Sequence, residues 1–289
     1  MHPKGGYHLQ TLGYYNGTVD ELDRMQVPML DRACYFGDGV YDVTFSRNHC
    51  PFELDEHIDR LFRSAALLRI TPPIGHTELA GLVRDLVGRV DDGEQWVYMQ
   101  FSRGTGFRTH TFPEGSDRAN LWIMLRPMKI RDLHIPFRCI TYPDTRFSHC
   151  NAKSLNLIPN VLASEAAREA GVDECILVRD GIVTECAHSN LSILQNGTLI
   201  THPDDCHIYA GTARAHLIRE CHAHDIPVLE REFSLDELLR ADEILVTSAS
   251  ALCIPVIELD GNPVGGKAPH TLSLLQSALL RDFMDKTER

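Results

Sequence analysis

The chain of 289 residues contains no apolar run approaching the roughly 20 residues that cross a bilayer, so nothing in it reads as a membrane span. Its first residues, MHPKGGYHLQ, lack the apolar core of a signal peptide. Cysteines are present, but their number is odd, nine in all, and no CxxC pair occurs. That pattern argues against a disulfide framework and for reduced thiols in a cytoplasm. Positive charge is in short supply: 28 Lys and Arg stand against 40 Asp and Glu, a net charge of −12. Nucleic acid and anionic membrane are therefore not expected partners. An anionic ligand has to be held by a few local basic groups working against the global field. Internal repeats and low-complexity stretches are also missing.

What remains is the composition of an ordinary soluble globular protein, 43% hydrophobic and 24% charged, long enough for two modest domains. TLGYYNGTV predicts a hairpin turning at Asn16-Gly17, followed by a strand at VYDVTF and a short returning strand from Pro51 to Leu54. A helix is expected from Asp55, with Ile58, Leu61, Phe62, Ala65 and Leu68 on one face. ELAGLVRDLVGRV predicts a second helix, and WVYMQFS and LWIMLRP two more strands. The pattern pauses from Pro127 to Pro136, which places a linker there and suggests domains at residues 1–128 and 129–289. Beyond it come a strand near Cys139, a helix from Leu155 to Ala170, and strands at ECILVRD, IVTEC, LSILQ and TLIT. A helix after Gly211, strands at DEILVTS and CIPVIEL, and a final helix complete the chain. Mixed order with many hairpins implies an α+β fold.

Lys153, in NAKSLNLIPNVLASEAA, is the residue that most suggests chemistry. It precedes an amphipathic helix and has Leu155, Leu157 and Ile158 nearby. A free lysine, with a pKa of about 10.4, is neutral only about once in 2,500 molecules at pH 7, so a reactive one needs apolar surroundings or a second cation. Glu185, in VTECAHSN, supplies a carboxylate of the kind that keeps a pyridine nitrogen protonated. Gly211-Thr212-Ala213-Arg214 opens a helix, where backbone N–H groups favour an anion, and Thr247-Ser248-Ala249-Ser250 adds hydroxyls after a strand. Arg60 offers a guanidinium fork for phosphate. Arg108 and His110, in the Gly-rich loop RGTGFRTH, stand two apart on extended chain and so face one side, where they can grip a carboxylate together with Tyr41. One such charge-assisted bond is worth roughly 1.5–3 kcal/mol. Each residue alone also reads plainly: a surface lysine, a strand-end glutamate, a helix-face arginine, an exposed polar loop. His202, Cys206 and His207, or Cys221, His222 and His224, lack the spacing of a metal finger and are not read as ligands. Cys34, Cys150 and Cys186 are read as thiols rather than nucleophiles.

In order along the chain, RACYFGDGVYDV, DEHIDRLFRSAALLRI, RGTGFRTHTFPE, NAKSLNLIPNVLA, ILVRDGIVTECAHSN, THPDDCHIYAGTAR and LVTSASALCIPVIELDG together resemble the class IV, or branched-chain/D-amino acid, aminotransferases. The R-x-H pair makes the D-amino acid branch the nearest likeness. The resemblance implies fold type IV: a smaller α/β N-terminal domain, a larger pseudo-barrel C-terminal domain carrying the lysine, pyridoxal 5'-phosphate between them, and a homodimer. It makes Lys153 the Schiff-base lysine, Glu185 the ring-nitrogen partner and Arg60 a phosphate ligand. Ser189, Asn190, Tyr209, Thr212, Ala213, Ser248 and Ala249 would complete the cofactor site, and Tyr41, Arg108, His110 and Ser250 the substrate site. Ala213 and Ala249 replace common threonines, leaving backbone N–H groups there, and Tyr209 replaces a ring-packing leucine. The implied reaction moves the amino group of a D-amino acid, D-alanine foremost, to a 2-oxo acid such as 2-oxoglutarate. A branched-chain or (R)-amine transaminase, an aminodeoxychorismate lyase, and a non-catalytic cofactor-binding protein are the alternatives.

Overall fold

The computed structural model describes residues 9–113 and 119–288. Residues 1–8 of the N-terminal stretch and Glu114, which ends the RGTGFRTHTFPE segment, lie outside the described residues. The chain forms two compact units: Met1–Lys129 with Ala152–Asn156 and Phe283–Arg289, and Ile130–Asn151 with Leu157–Asp282. The break at 129/130 falls within the Pro127–Pro136 stretch, but the segment bearing Lys153 groups with the first unit, not with the C-terminal part to which the sequence assigned it.

In the first unit, β1 (Leu12–Tyr15) and β2 (Thr18–Asp20) form the expected hairpin, with Asn16 and Gly17 both at positive φ as a tight hairpin turn requires. Then come α1 (Arg32–Phe36), β3 (Gly39–Arg47), β4 (Cys50–Pro51), α2 (Leu54–Leu67), α3 (His76–Val87), β5 (Gln95–Ser102) and β6 (Asn120–Pro127). The sheet is antiparallel throughout, in the order β2-β1-β6-β5-β3-β4. Ile58, Leu61 and Ala65 of α2 and Leu79, Val83 and Leu86 of α3 are fully buried against sheet residues such as Met99, Phe101 and Ile123. Each large aliphatic chain so buried contributes roughly 1.5–3 kcal/mol. The returning strand expected through Leu54 is only Cys50–Pro51, because α2 already begins at Leu54.

The second unit contains β7 (Phe137–Pro143), α4 (Ile158–Ala170), β8 (Glu174–Arg179), β9 (Ile182–Cys186), β10 (Asn190–Gln195), β11 (Thr198–Thr201), α5 (Thr212–Ala223), β12 (Val228–Glu230), α6 (Leu235–Arg240), β13 (Glu243–Thr247), β14 (Ile254–Leu259), β15 (Asn262–Pro263) and most of α7 (Pro269–Lys286). Its nine-stranded sheet runs β12-β11-β10-β13-β14-β7-β8-β9, with β15 on β14, and curls into a half-barrel. Parallel pairs β7/β8, β7/β14 and β11/β12 are mixed with antiparallel ones. The fold is thus α+β, as the order of elements suggested. One boundary differs. The helix expected from Leu155 starts at Ile158, because Ser154 bridges to Val40 and the Leu155 N–H donates to the Gly39 carbonyl at 3.1 Å.

Candidate active site

Within the first unit, β3 holds the segment that carries Lys153. The Tyr41 N–H donates to the Lys153 carbonyl at 2.9 Å, and the Lys153 N–H donates to Ser64 Oγ of α2 at 3.2 Å. Gly39 makes this approach possible. A Cβ there would lie 2.5 Å from the Phe101 carbonyl oxygen and 2.8 Å from Leu155 Cδ1. The half-buried lysine places Nζ 4.7 Å from the centre of the Tyr41 ring. That ring stacks on Tyr98, which stacks in turn on Trp96. An ammonium over an aromatic face is partly desolvated yet held in one direction.

Arg60 is buried on α2 and forks onto Asp42 of β3, with Nε and one terminal nitrogen each donating at 2.8 Å. His57 Nδ1 meets the same carboxylate at 2.7 Å. Burial pushes the Asp42 carboxyl up, but the Arg60 charge and the bonds from His57 and Arg60 outweigh it and hold it well below the usual range. For His57 burial prevails and its pKa is lowered.

The loop with Arg108 and His110 is strapped to α1. Arg32 donates to the Thr109 carbonyl at 2.9 Å, the Gly106 N–H to the Leu30 carbonyl at 3.0 Å, and the Tyr35 hydroxyl to the Gly106 carbonyl. Arg32 and Arg108 both lie over the Phe36 ring, at 4.8 and 5.0 Å, and the His110 ring is 5.3 Å away. Arg108 and His110 are thus both placed against Phe36. Among the described residues no hydrogen bond, ion pair or ring contact joins Tyr41 to either of them. Arg32 and Phe36 were not singled out by sequence; their only signal is that RACYF lies inside a matched segment.

In the second unit Glu185, near the end of β9, is buried and held on both carboxylate edges. Oε2 accepts from Asn190 Nδ2 at 2.8 Å and from the Tyr209 N–H at 3.1 Å. Oε1 accepts from Arg146, which is also buried and forks onto Asp144 with Nε and a terminal nitrogen at 2.9 Å each. Asp144 in turn meets Arg179 at 3.1 Å and accepts from Thr184 Oγ1 at 2.9 Å. Burial raises the Asp144 carboxyl, but the bonds and charge of Arg146 reverse that and bring it down to about 2. Sequence reading missed both Arg146 and Asp144.

Asn190 links Glu185 to the helix start. Its Oδ1 accepts from the Gly211 N–H at 2.8 Å, while Nδ2 also donates to the Tyr209 carbonyl at 2.8 Å. Gly211 is the N-cap of the twelve-residue α5 and provides no side-chain cap, and a Cβ on it would strike Asn190 Oδ1 at 2.4 Å. Ala213 is buried in the first turn. After β13, Ser248 and Ser250 hydroxyls stand 3.2 Å apart beside Ala249, and the buried Thr247 Oγ1 has no hydrogen-bond partner among the described residues. The Ser189 hydroxyl donates to Glu174 at 3.2 Å. His202 Nδ1 lies 3.0 Å from the Pro203 carbonyl, with Asp205 and Glu232 offering ligand atoms within 4.8 Å of it and of each other. Burial raises the thiols of Cys34, Cys150 and Cys186, Cys150 to about 11, which disfavours thiolate chemistry.

These features match a known family. Residues 39–259 match the model of amino-transferase class IV. The chain is 35% identical over 279 residues to the D-alanine aminotransferase of Bacillus licheniformis, covering 95% of this chain and 98% of that one. It is 33% identical to the D-alanine aminotransferase of Staphylococcus haemolyticus, covering 91% and 94%. Among solved structures, the branched-chain aminotransferase of the archaeon Thermoproteus uzoniensis with norvaline superimposes with a TM-score of 0.85 at 24% identity, over 96% of each chain. The chain belongs to the class IV aminotransferases, and its cofactor is pyridoxal 5'-phosphate. Its residues fit that group: in the first unit an amine on an aromatic face, and in the second a buried carboxylate clamped from two sides and a helix start whose N-cap is glycine. Among the described residues, no helix is long and apolar enough to cross a membrane.

Proposed function

We propose that this aminotransferase moves the amino group of a D-amino acid, D-alanine foremost, to a 2-oxo acid such as 2-oxoglutarate. The observation that supports the D-amino acid branch is the pairing of Arg108 and His110 on Phe36, which presents a guanidinium and an imidazole together. The D-alanine aminotransferase relatives point the same way. When bound, pyridoxal phosphate supplies an aldehyde carbon for an amine and an electron-poor ring that stabilises a carbanion. Lys153 Nζ is the amine that would hold the cofactor and would carry the substrate α-proton. Glu185 would keep the cofactor's ring nitrogen protonated. The start of α5 with Thr212 and Ala213, the Ser248–Ser250 turn and Arg60 would hold its phosphate, with Asn190, Ser189 and Tyr209 as further cofactor-binding residues. Arg108, His110, Tyr41 and Ser250 orient the substrate carboxylate.

Borohydride reduction of the holoenzyme followed by peptide mapping should label Lys153, and a label elsewhere overturns its assignment. Lys153→Ala should lower turnover by about 10²–10⁴-fold, the usual contribution of a positioned acid–base group. A panel of D- and L-amino acids against pyruvate and 2-oxoglutarate tests the substrate class. Arg108→Ala and His110→Ala should each raise KM for D-alanine while sparing kcat; unchanged KM values in both remove the carboxylate trap. A homodimer is proposed on the exposed Ile158, Val161 and Leu162 of α4, which share one helix face, and a monomer in light scattering would refute it. The nine free thiols support a cytoplasmic location.

A further inference from the structure

We infer that Arg146 and Asp144 are positioning residues that set how much negative charge Glu185 presents to the ring nitrogen. The inference rests on the proposed role of Glu185. Three observations carry it. First, the three side chains are almost fully shielded, with relative exposures of 8% for Glu185, 6% for Arg146 and 0% for Asp144. Charges at such depth act on each other with little screening. Second, the bonds are unequal. Asp144 takes the Nε edge of Arg146 as a fork and also accepts the Arg146 backbone N–H at 3.1 Å, whereas Glu185 meets only one terminal nitrogen. Third, charge alternates beyond them, because Arg179 contacts Asp144 at 3.1 Å and donates to the Arg146 carbonyl at 2.6 Å.

A lone arginine behind Glu185 would cancel the charge that the carboxylate is there to supply. With Asp144 holding most of its guanidinium, Arg146 instead orients Oε1 while leaving Glu185 anionic. The opposite edge is fixed by neutral donors, Asn190 Nδ2 and the Tyr209 N–H. Arg146 itself is anchored by the His207 carbonyl at 2.9 Å and Thr184 Oγ1 at 3.4 Å. Among the described residues, the titratable groups around this chain of charges include Asp144, Arg179, Glu185 and the thiols of Cys150 and Cys186, which their raised pKa values keep neutral.

Opposite signs follow for two substitutions. Arg146→Gln removes a positive charge beside Glu185, so the bound cofactor should hold its proton more tightly. The pH midpoint of the holoenzyme's long-wavelength absorption should then rise by about one pH unit. Asp144→Asn leaves Arg146 less compensated and should move the same midpoint downward by a similar amount. Arg146→Lys keeps the charge and should return the midpoint toward wild type. The measurement is a spectrophotometric pH titration of holoenzyme for wild type, these three variants and Glu185→Gln. If Arg146→Gln does not fold, Arg146→Lys and Asp144→Asn carry the test alone. Displacements of opposite sign support the inference. If Glu185→Gln moves the midpoint and the Arg146 and Asp144 variants do not, or move it the same way, the inference falls while Glu185 keeps its role. A midpoint untouched by Glu185→Gln overturns both.

Discussion

Two buried arginines, one in each unit, are gripped by an aspartate in nearly the same geometry, yet their surroundings differ. Arg60 and Asp42 join α2 to β3 and share their carboxylate with His57, three residues earlier on the same helix turn. Those bonds fasten α2 to the sheet. Arg146 and Asp144 repeat the fork, but the free corner of Arg146 reaches Glu185, and Asp144 reaches Arg179. The same guanidinium–carboxylate geometry thus serves as a fastener in one unit and as a charged relay behind a carboxylate in the other. What distinguishes them is the third partner, not the pair.

The comparison breaks most visibly at Asp42. Asp42→Ala would strand Arg60 in the interior and should cost about 3–5 kcal/mol, read as a lowered urea midpoint. A loss below about 1 kcal/mol would show that Arg60 finds another partner and that the fork is no fastener. Acid should separate the two carboxylates next. Asp144 has a folded pKa of about 2, below its ordinary value of 3.8. Its contribution, about 2 kcal/mol, is therefore present above about pH 4 and lost as pH falls toward 2. Asp144→Asn should flatten that part of the stability profile, measured by urea melts from pH 5 to 2. Gly211→Ala should push Asn190 away from Glu185, costing about 1–3 kcal/mol by overpacking and loosening cofactor in equilibrium dialysis. Smallest is Ser234→Ala, which removes the capping box of α6, distant in sequence from both pairs. It should lower stability by about 1 kcal/mol and leave cofactor affinity unchanged.

Much of the fold was legible because its signals are local. Alternating strands, the Asn16-Gly17 turn and the apolar stripe of α2 depend on neighbours a few residues away. The misplaced start of α4 came from a non-local cause, the pairing of Ser154 and Leu155 with β3, which overrides a good helical pattern. The short α1, α6 and β12 went unread because so few residues cannot show a period. The site divides the same way. Lys153, Glu185 and the R-x-H pair read as ordinary residues alone and were singled out because they lie in segments that match a family pattern in order. Arg146, Asp144, Arg32 and Phe36 matter only through what they touch, and no spacing rule ties residue 146 to residue 185. Ser189, expected around the cofactor, gives its hydroxyl to Glu174.

The pentapeptide around Lys153 has an unusual membership: it packs with β3 and α2, while the residues on either side of it belong to the other unit. Cutting the gene at the obvious linker would therefore strip Lys153 from the sheet that supports it. Neither half could be produced as one uninterrupted piece with its proper neighbours, so attempts to shuffle or split this enzyme need to carry that short insert along with the N-terminal sheet.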